Sequence, residues 1–214
     1  MTTRSNNFVI TIDGPSASGK GSLARELASF FNFQYLDTGK LYRIIASIFG
    51  ISAQYNLKID SHLEEKILSL LLEDSNAASY HNEDIGKIAS ILARHEHIRL
   101  ALLPIQRQII YSAKPGIVLD GRDTSSVVFP ESDFKIFITA QTSIRAQRRF
   151  KEMLYKKKEM YKKIHQKIVQ RDIRDTYRKF APLIKVKDAL YVNTSYMNKE
   201  QVFLFIKEKI KTYL

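Results

Sequence analysis

The residues with the clearest chemical meaning lie in the segment Gly14–Ser22, which reads GPSASGKGS. Glycine permits backbone angles that other residues avoid, so successive N–H groups of such a loop can turn inward around a phosphate. Lys20 adds a full positive charge, and the N-terminus of a following helix adds a partial one. The usual pattern places Ser or Thr directly after the lysine, whereas here Gly21 stands there and Ser22 follows. The segment predicts a site for nucleotide phosphates.

A carboxylate and several arginines could complete such a site. Asp120 ends the apolar run Ile117–Leu119, a position from which an acid can hold Mg²⁺ directly or through water, although it could also simply cap a turn. The arginines near predicted strand or helix ends, interleaved with Asp123, Asp172 and Asp175, are Arg43, Arg122, Arg171, Arg174 and Arg178. An alcohol acceptor usually needs a general base, whereas a phosphate acceptor is already an anion and needs cations. The arginines therefore favour a phosphate acceptor.

Alternating strands and helices must position these groups. Phe8–Ile12 predicts a buried strand before the loop, and Leu23, Leu27 and Phe31 predict an amphipathic helix after it. Four further strands are predicted at residues 34–37, 117–120, 134–139 and 190–193, with a helix at 41–49 and a closing helix capped by Asn198 and Gln201. The alternation predicts an α/β fold with a five-stranded parallel sheet.

The stretch between Gly50 and Lys114 interrupts this alternation. Ser61 and Glu64 have the spacing of a capping box before an apolar helical pattern, and a second helical pattern runs from Asp84 to about Leu103. We predict a helical insert on the sheet.

Composition excludes several classes of protein. Of the 214 residues, 44% are hydrophobic and 26% are charged, which is close to the globular average and argues against a disordered or fibrous chain. There are no cysteines, which excludes a disulfide scaffold, a cysteine nucleophile and a thiolate metal site and suits the cytoplasm. The apolar stretches are too short to span a membrane. We expect a cytoplasmic protein without a membrane partner.

The net charge of +12 is concentrated in one segment. Residues 141–190 contain 16 Lys or Arg and 5 Asp or Glu, a net charge of +11. The basic residues here include Arg145, Arg148 and Arg149, followed by lysines 156, 157, 158, 162 and 163 with Tyr155 and Tyr161 between them. One interpretation is a lid whose Arg148 or Arg149 meets the nucleotide phosphates. A nucleic-acid surface and a solvated helical hairpin are the alternatives, and we consider nucleic acid the less favoured of the two functional interpretations.

Four motifs occur in a fixed order along the chain, and together they are typical of one family. The phosphate loop is followed by DTGKLYR at residues 37–43, by DGRD at 120–123 with VVFP at 127–130, and by RDIRDTYRKFAPL at 171–183. Together they resemble bacterial cytidylate kinase, a P-loop nucleoside monophosphate kinase, over about residues 9–206.

This resemblance implies a P-loop core, a monophosphate-binding insert and a mobile lid. It places the core at about residues 8–50, 115–147 and 179–214 of a single kinase domain, the insert at about 51–114 and the lid at about 148–178. It implies transfer of the ATP γ-phosphate to CMP or dCMP with Mg²⁺, and we expect a monomer. The loop residues that would bind ATP are Gly14, Pro15, Ser16, Ala17, Ser18, Gly19, Lys20, Gly21 and Ser22.

The resemblance also assigns the acceptor site residue by residue. Arg43 and Arg122 would hold the acceptor phosphate, with Thr38 standing where the family often has Ser. Ser90, Arg99 and Asp123 would meet the cytosine edge. Arg171 and Asp175 would meet the ribose hydroxyls, and Arg178 would lie among the phosphates, so that Lys20, Arg122 and Arg178 are the expected catalytic groups.

Two departures and two alternatives accompany this resemblance. Ser125 and Ser126 replace the usual Gly-Thr before VVFP, and the β-hairpin usually found before the Ser90 helix is largely missing from Glu73 to Glu83. A P-loop protein that binds RNA or DNA through its basic segment is one alternative. Another P-loop kinase, such as a relative of shikimate or adenylate kinase, is the second, although the paired Arg-Asp motifs argue against it.

Overall fold

The structure is a computed structural model, and it describes residues 7–72, 83–152 and 158–213. The chain divides into two compact units. A sheet unit comprises the residues up to Leu36 and those from Ala113 onwards, and a helical unit comprises Asp37–Ser112. The helical unit therefore begins at Asp37, whereas we predicted the insert from about residue 51.

Five strands form one sheet, as predicted. They are β1 (Phe8–Asp13), β2 (Gln34–Asp37), β3 (Gly116–Gly121), β4 (Phe134–Thr139) and β5 (Leu190–Asn193). Their order is β2-β3-β1-β4-β5, and β1 pairs in parallel with both β3 and β4. Since Asp13 lies opposite Gly121 in this register, the loops that follow β1 and β3 leave the same edge of the sheet. Ligands of open parallel sheets bind at this edge.

Eight helices accompany the strands in the described residues. They are α1 (Lys20–Phe31), α2 (Thr38–Phe49), α3 (Ser61–Leu72), α4 (Glu83–Leu92), α5 (Glu96–Ser112), α6 (Thr142–Glu152), α7 (Lys158–Tyr177) and α8 (Lys199–Lys211). A short 3₁₀ helix at Gly50–Gln54 and a π-helical turn at Thr124–Val128 complete the regular structure.

The core of the sheet unit buries the apolar residues that the sequence pattern indicates. Leu23 and Leu27 of α1 pack in one cluster with Ile10 and Ile136 of the strands, together with the inner face of α8. That face consists of Val202, Ile206 and Ile210, at most 6% exposed. The predicted capping box of α8 is formed: Asn198 Oδ1 accepts from the Gln201 N–H at 2.8 Å, and Gln201 Oε1 accepts from the Asn198 N–H at 2.9 Å.

In the helical unit, two details of the sequence-based prediction are wrong. The Asp84–Leu103 pattern is not one helix, because α4 ends at Leu92 and α5 begins at Glu96. The N–H groups of Arg94 and His95 bond back only three residues, to Ile91 O and Leu92 O, which tightens and ends the helix. The cap of α3 lies one residue earlier than predicted, since the Leu63 N–H donates to Asp60 Oδ1 at 2.8 Å.

Candidate active site

The phosphate loop connects β1 to α1 and contains residues in the left-handed region. Ala17 has φ 58° and Gly19 has φ 94°, conformations that turn backbone N–H groups toward one side. Gly14 is required for a different reason, because a Cβ there would lie 2.0 Å from Ile138 O of the neighbouring strand. Within the described residues the buried Ser18 Oγ has no hydrogen-bond partner. The loop thus has the backbone form of an anion site and a side-chain hydroxyl available to a ligand.

Lys20 is buried at the start of α1, only 6% exposed. Its ammonium donates to Pro15 O at 3.3 Å and lies 3.8 Å from Asp120 Oδ1. A buried ammonium needs such partners. The structure therefore brings together the lysine and the strand-end acid that the sequence singled out.

The Asp120 carboxylate lies directly beside Gly21. A Cβ at residue 21 would lie 2.9 Å from Asp120 Oδ2, closer than side-chain carbons approach. The same carboxylate oxygen accepts a hydrogen bond of 3.4 Å from the hydroxyl of Tyr35. Glycine at this position leaves room for the acid beside the loop.

A cavity of about 560 Å³ opens beside the phosphate loop. One part of its lining is the loop with the first turn of α1, and another is the segment Thr194–Val202 that follows β5. Arg148 also lines it, donating to Thr194 Oγ1 at 3.0 Å and to Thr194 O at 2.6 Å. Burial lowers the pKa of the Arg148 guanidinium, while Glu152 opposes that shift.

The two arginines expected in the lid differ in their surroundings. Arg148 lies at the cavity, as described above. Arg149 is 48% exposed at its side chain and pairs with Glu152 at 3.5 Å on the surface of α6. Tyr155, Lys156 and Lys157 lie outside the described residues, as does the side chain of Lys158.

A second cluster gathers five of the predicted acceptor residues in the sheet unit. Arg122 Nε donates to Asp175 Oδ2 at 2.8 Å, and Arg171 Nε lies 3.9 Å from the same oxygen. Arg178 Nη2 lies 3.4 Å from Asp123 Oδ1. The side chains of the latter pair are 3% and 6% exposed. Residues separated by some fifty positions thus meet as two buried ion pairs.

These pairs shift the acidity of their members. Burial alone would raise the pKa of Asp175, but the positive charges of Arg122 and Arg171 lower it below its ordinary value of 3.8. Burial alone would lower the pKa of Arg122, but the carboxylates of Asp175 and Asp120 raise it. Both groups are therefore charged at neutral pH.

The helical unit positions the other predicted acceptor residues. Asp37 caps α2 by accepting from the Gly39 N–H at 2.9 Å, which places Thr38 in its first turn. The Arg43 guanidinium lies against Gly86 of α4, where a Cβ would meet its nitrogen at 2.9 Å. Glycine at residue 86 thus allows α4 to approach the arginine.

Ser90 and Arg99 lie on consecutive helices of this unit. Arg99 is 6% exposed, stacks over the ring of Tyr42 at 5.4 Å and donates to Ala93 O at 3.1 Å. Ser90 Oγ is buried and has no hydrogen-bond partner among the described residues. Since buried hydroxyls are nearly always satisfied, Ser90 is marked as a group that a ligand would satisfy.

Three site residues have no counterpart in the sequence-based prediction as functional groups. Asp13, at the end of β1, accepts hydrogen bonds from Thr124 and Ser125 and is fully buried. Asp172 Oδ1 accepts from the Ser16 N–H of the phosphate loop at 3.1 Å, and Asp172 Oδ2 lies 2.5 Å from Nη1 of the buried Arg145. The signal available for Asp13 was its position directly before the loop. For Asp172 and Arg145, 27 residues apart, no local signal exists.

Comparison with known proteins identifies the family. The profile of the cytidylate kinase family matches residues 10–212. The chain belongs to the cytidylate kinase family. The cytidylate kinase of Xanthobacter autotrophicus is 38% identical over 198 residues, covering 92% of this chain and 93% of the relative. The cytidylate kinase of Acidiphilium cryptum is 40% identical over 197 residues, covering 92% of each chain. The resemblance predicted from the four motifs is confirmed.

The α/β fold of this cytidylate kinase family member is also found in solved structures. The crystal structure of an uncharacterized protein from Eubacterium ventriosum aligns with a TM-score of 0.57 at 13% identity, covering 96% of this chain and 99% of that one. None of the helices in residues 7–72, 83–152 and 158–213 combines the length and hydropathy that a bilayer span requires.

Proposed function

We propose that this chain transfers the γ-phosphoryl group of ATP to CMP or dCMP, giving ADP and the cytidine diphosphate. The observation that carries the proposal is that one unit contains both a group suited to the phosphate donor and a group suited to the acceptor. A phosphate loop with buried Lys20 and Asp120 lies in the same unit as the paired cluster of Arg122, Asp123, Asp175 and Arg178. The first suits a nucleoside triphosphate, and the second suits a phosphorylated acceptor.

The donor would bind along the phosphate loop and the cavity beside it. The N–H groups of Gly14–Ser22 and the Lys20 ammonium would meet the β- and γ-phosphates. The cavity of about 560 Å³ is large enough for a nucleoside, and Arg148 at its wall could neutralise phosphate charge. We assign Arg149 to the lid on the resemblance alone, since its side chain is largely exposed.

The acceptor would be held by arginines and recognised by hydrogen bonds. Arg43, Arg122 and Arg178 would bind the phosphate of CMP, with Thr38 nearby in the family's arrangement. Arg171 and Asp175 would bind the ribose hydroxyls. Ser90, Arg99 and Asp123 would bind the cytosine edge, whose amine donates and whose ring atoms accept. The strongest support for this last assignment is that the buried Ser90 Oγ has no hydrogen-bond partner in residues 7–72, 83–152 and 158–213.

The residues near Lys20 are compatible with a Mg²⁺ ion that ATP brings with it. Mg²⁺ in such sites is bound by phosphate oxygens, waters and one or two carboxylates. The carboxylate of Asp120 lies 3.8 Å from the Lys20 ammonium, a position that fits an acid helping to hold an ion bound largely by phosphate and water. Asp120 would bind the ion, most simply through a water, and the ion would supply charge neutralisation.

The reaction then requires positioning and charge neutralisation rather than a base. An oxygen of the CMP phosphate attacks the γ-phosphorus, a new P–O bond forms, and the bond to the β-phosphate oxygen breaks with its electrons remaining on ADP. Lys20 would neutralise charge on the donor side, and Arg122 and Arg178 would neutralise it on the acceptor side. Because the attacking group is already an anion at neutral pH, no proton needs to be removed.

We further propose that the protein acts as a monomer in the cytoplasm, where its nucleotide substrates are available. We also propose the domain assignment implied by the family: a single kinase domain with core, insert and lid. Nucleic acid is not part of the proposal, because Arg145, Arg148 and Arg149 already have partners in the protein. Arg145 donates to Ser16 O and Arg148 to Thr194 O, and Arg149 pairs with Glu152.

The test is ADP release with ATP and Mg²⁺ against CMP, dCMP, UMP, AMP and shikimate in parallel. Turnover confined to CMP and dCMP is the expected result. Equal turnover of AMP, UMP and CMP would contradict the cytosine assignment and leave the kinase class intact. Turnover of shikimate alone would contradict the acceptor class, and ADP release without any acceptor would indicate an ATPase.

A further inference from the structure

The carboxylate of Asp13 accepts four hydrogen bonds from two consecutive residues. Oδ1 accepts from the Thr124 N–H at 2.8 Å and from the Thr124 hydroxyl at 2.8 Å. Oδ2 accepts from the Ser125 N–H at 2.8 Å and from the Ser125 hydroxyl at 2.5 Å. The three residues are 0%, 0% and 3% exposed. Each carboxylate oxygen therefore binds the backbone and the side chain of one residue.

Because the Asp13 carboxylate is buried, it needs hydrogen-bond donors to replace the water that it has lost. Removal from water raises the pKa of Asp13, and the hydrogen bonds from Ser125 and Thr124 oppose that shift by stabilising the charged form. A buried carboxylate that loses a donor bears a desolvation cost, which keeps all four donors in place. The end of β1 is thus firmly joined to the start of the Thr124–Val128 turn.

That turn holds the backbone of Asp123. The carbonyl of Asp123 accepts from the N–H groups of Val127 at 2.9 Å and Val128 at 3.1 Å. Asp123 is directly preceded by Arg122, and its own side chain faces Arg178. The position of the two proposed acceptor groups therefore depends on a turn whose first residues are fixed by Asp13.

We infer that Asp13, acting through the hydroxyls of Thr124 and Ser125, is a positioning residue for the acceptor groups Arg122 and Asp123. Asp13 also directly precedes Gly14, so one carboxylate joins the strand that carries the phosphate loop to the loop that carries the acceptor groups. The inference rests on the proposed function for its effect on CMP. Ser125, which departs from the usual glycine, contributes a bond that glycine could not form.

The experiment compares Thr124→Val and Ser125→Ala, which remove one hydroxyl each and keep the N–H bonds. The matched control is Ser126→Ala, because Ser126 Oγ is buried without a hydrogen-bond partner in the part of the chain that the structure describes. We expect the KM for CMP to rise roughly tenfold in each of the first two variants, with the KM for ATP within about twofold. We expect Ser126→Ala to leave both values within about twofold.

A second readout separates this inference from the proposed function. Amide hydrogen exchange of Val127 and Val128 is expected to be roughly tenfold faster in Ser125→Ala than in the wild type and unchanged in Ser126→Ala. Variants with lower thermal stability but an unaltered KM for CMP would show a merely structural role and overturn the inference. Unchanged amide exchange in Ser125→Ala would also overturn the inference. The absence of CMP turnover in the wild type would instead contradict the proposed function, and the exchange experiment can be carried out in that case too.

Asp13→Asn provides the direct test if the variant folds. An amide replaces one acceptor oxygen by an NH₂ group, which would face the two donors of a single residue. We expect a larger rise in the KM for CMP than in either hydroxyl variant. A KM equal to that of the wild type would overturn the inference.

Discussion

The oxygens that hold Lys20 in advance include Pro15 O at 3.3 Å and Asp120 Oδ1 at 3.8 Å. An arriving phosphate would offer this ammonium a stronger partner without requiring it to cross solvent. In the proposed reaction its charge would therefore be preorganised where phosphoryl transfer develops negative charge.

Replacing this lysine should separate chemistry from acceptor binding. We expect Lys20→Met to lower kcat by about 10²–10³ and to leave the dissociation constant for CMP within about threefold. Rapid-quench kinetics and calorimetric CMP binding measure the two quantities. Lys40→Met is the matched control, because Lys40 is also buried and bonds a carbonyl, Leu71 O at 2.8 Å, outside the phosphate loop. Equal losses in kcat would mean that Lys20 only stabilises the fold.

Asp123 should determine both acceptor affinity and base choice. Its carboxylate is buried opposite Arg178, so Asp123→Ala removes a partner from the arginine and an acceptor from the cytosine amine. We expect the KM for CMP to rise tenfold or more, about 1.4 kcal/mol, and the preference for CMP over UMP to fall. Steady-state kinetics with both nucleotides measure this. An unchanged KM together with unchanged base preference would contradict the assignment.

The Asp175 carboxylate should make stability depend on acid. Its folded-state pKa is below the ordinary 3.8, so its contribution is fully present above the unfolded value and is lost as the pH falls through the folded one. Below about pH 4, wild-type stability should therefore fall more steeply than that of Asp175→Asn, as urea unfolding at each pH would show. Glu131→Gln is the control, since Glu131 lies exposed on the surface. If the free energy of unfolding fell equally with pH in Asp175→Asn and wild type, the predicted contribution of Asp175 would be contradicted.

Helix α7 carries more than its predicted acceptor residues. Arg171 and Asp175 flank Asp172, which binds the Ser16 N–H of the phosphate loop and the buried Arg145 of α6. One helix thus contacts the phosphate loop and carries two residues that we predict to bind the acceptor.

Removing this contact should affect ATP more than CMP. We expect Asp172→Ala to raise the KM for ATP about fivefold or more, because the loop loses an anchor and Arg145 loses its partner. Glu208→Ala is the control, since Glu208 forms an exposed pair with Lys211 on α8. Initial rates across ATP concentrations measure the effect. A selective rise in the KM for CMP would show that Asp172 serves the acceptor side instead.

The elements themselves were predictable to different degrees. The five strands and α8 were predictable because apolar runs and a capping box are local signals, and the structure confirms them. The break between α4 and α5 was not, because residues 93–95 read ARH, without a glycine or proline, and the apolar pattern continues across them. The arginines of the ion-pair cluster were identifiable from motifs, and their role toward an acceptor stays a prediction, whereas Asp172 and Arg145 meet only through tertiary packing.

At the scale of the whole molecule, the division into two units predicts which segments a bound ligand protects from amide hydrogen exchange. Every residue proposed to bind ATP lies in the sheet unit. We expect saturating ATP to slow amide exchange in β1 and α1 and to leave α3 of the helical unit unchanged, since ligand binding stabilises the segments that bind it. Mass spectrometry of exchanged peptides measures this, with the same protein in the absence of ATP as the reference. If ATP slowed amide exchange in α3 as much as in β1 and α1, the expectation that ATP stabilises only the sheet unit would be contradicted.

The cavity beside the phosphate loop has a consequence for synthesis of the protein. Its lining includes the loop near the beginning of the chain and the segment Thr194–Val202 near its end, and Arg148 joins the latter through Thr194 and Met197. During translation the loop is made before α2–α7 and β2–β5, whereas the segment Thr194–Val202 is made after all of them. A nascent chain therefore holds the phosphate loop long before the cavity beside it is complete, and a ligand that needs the whole cavity can stabilise the chain only after those elements have been made.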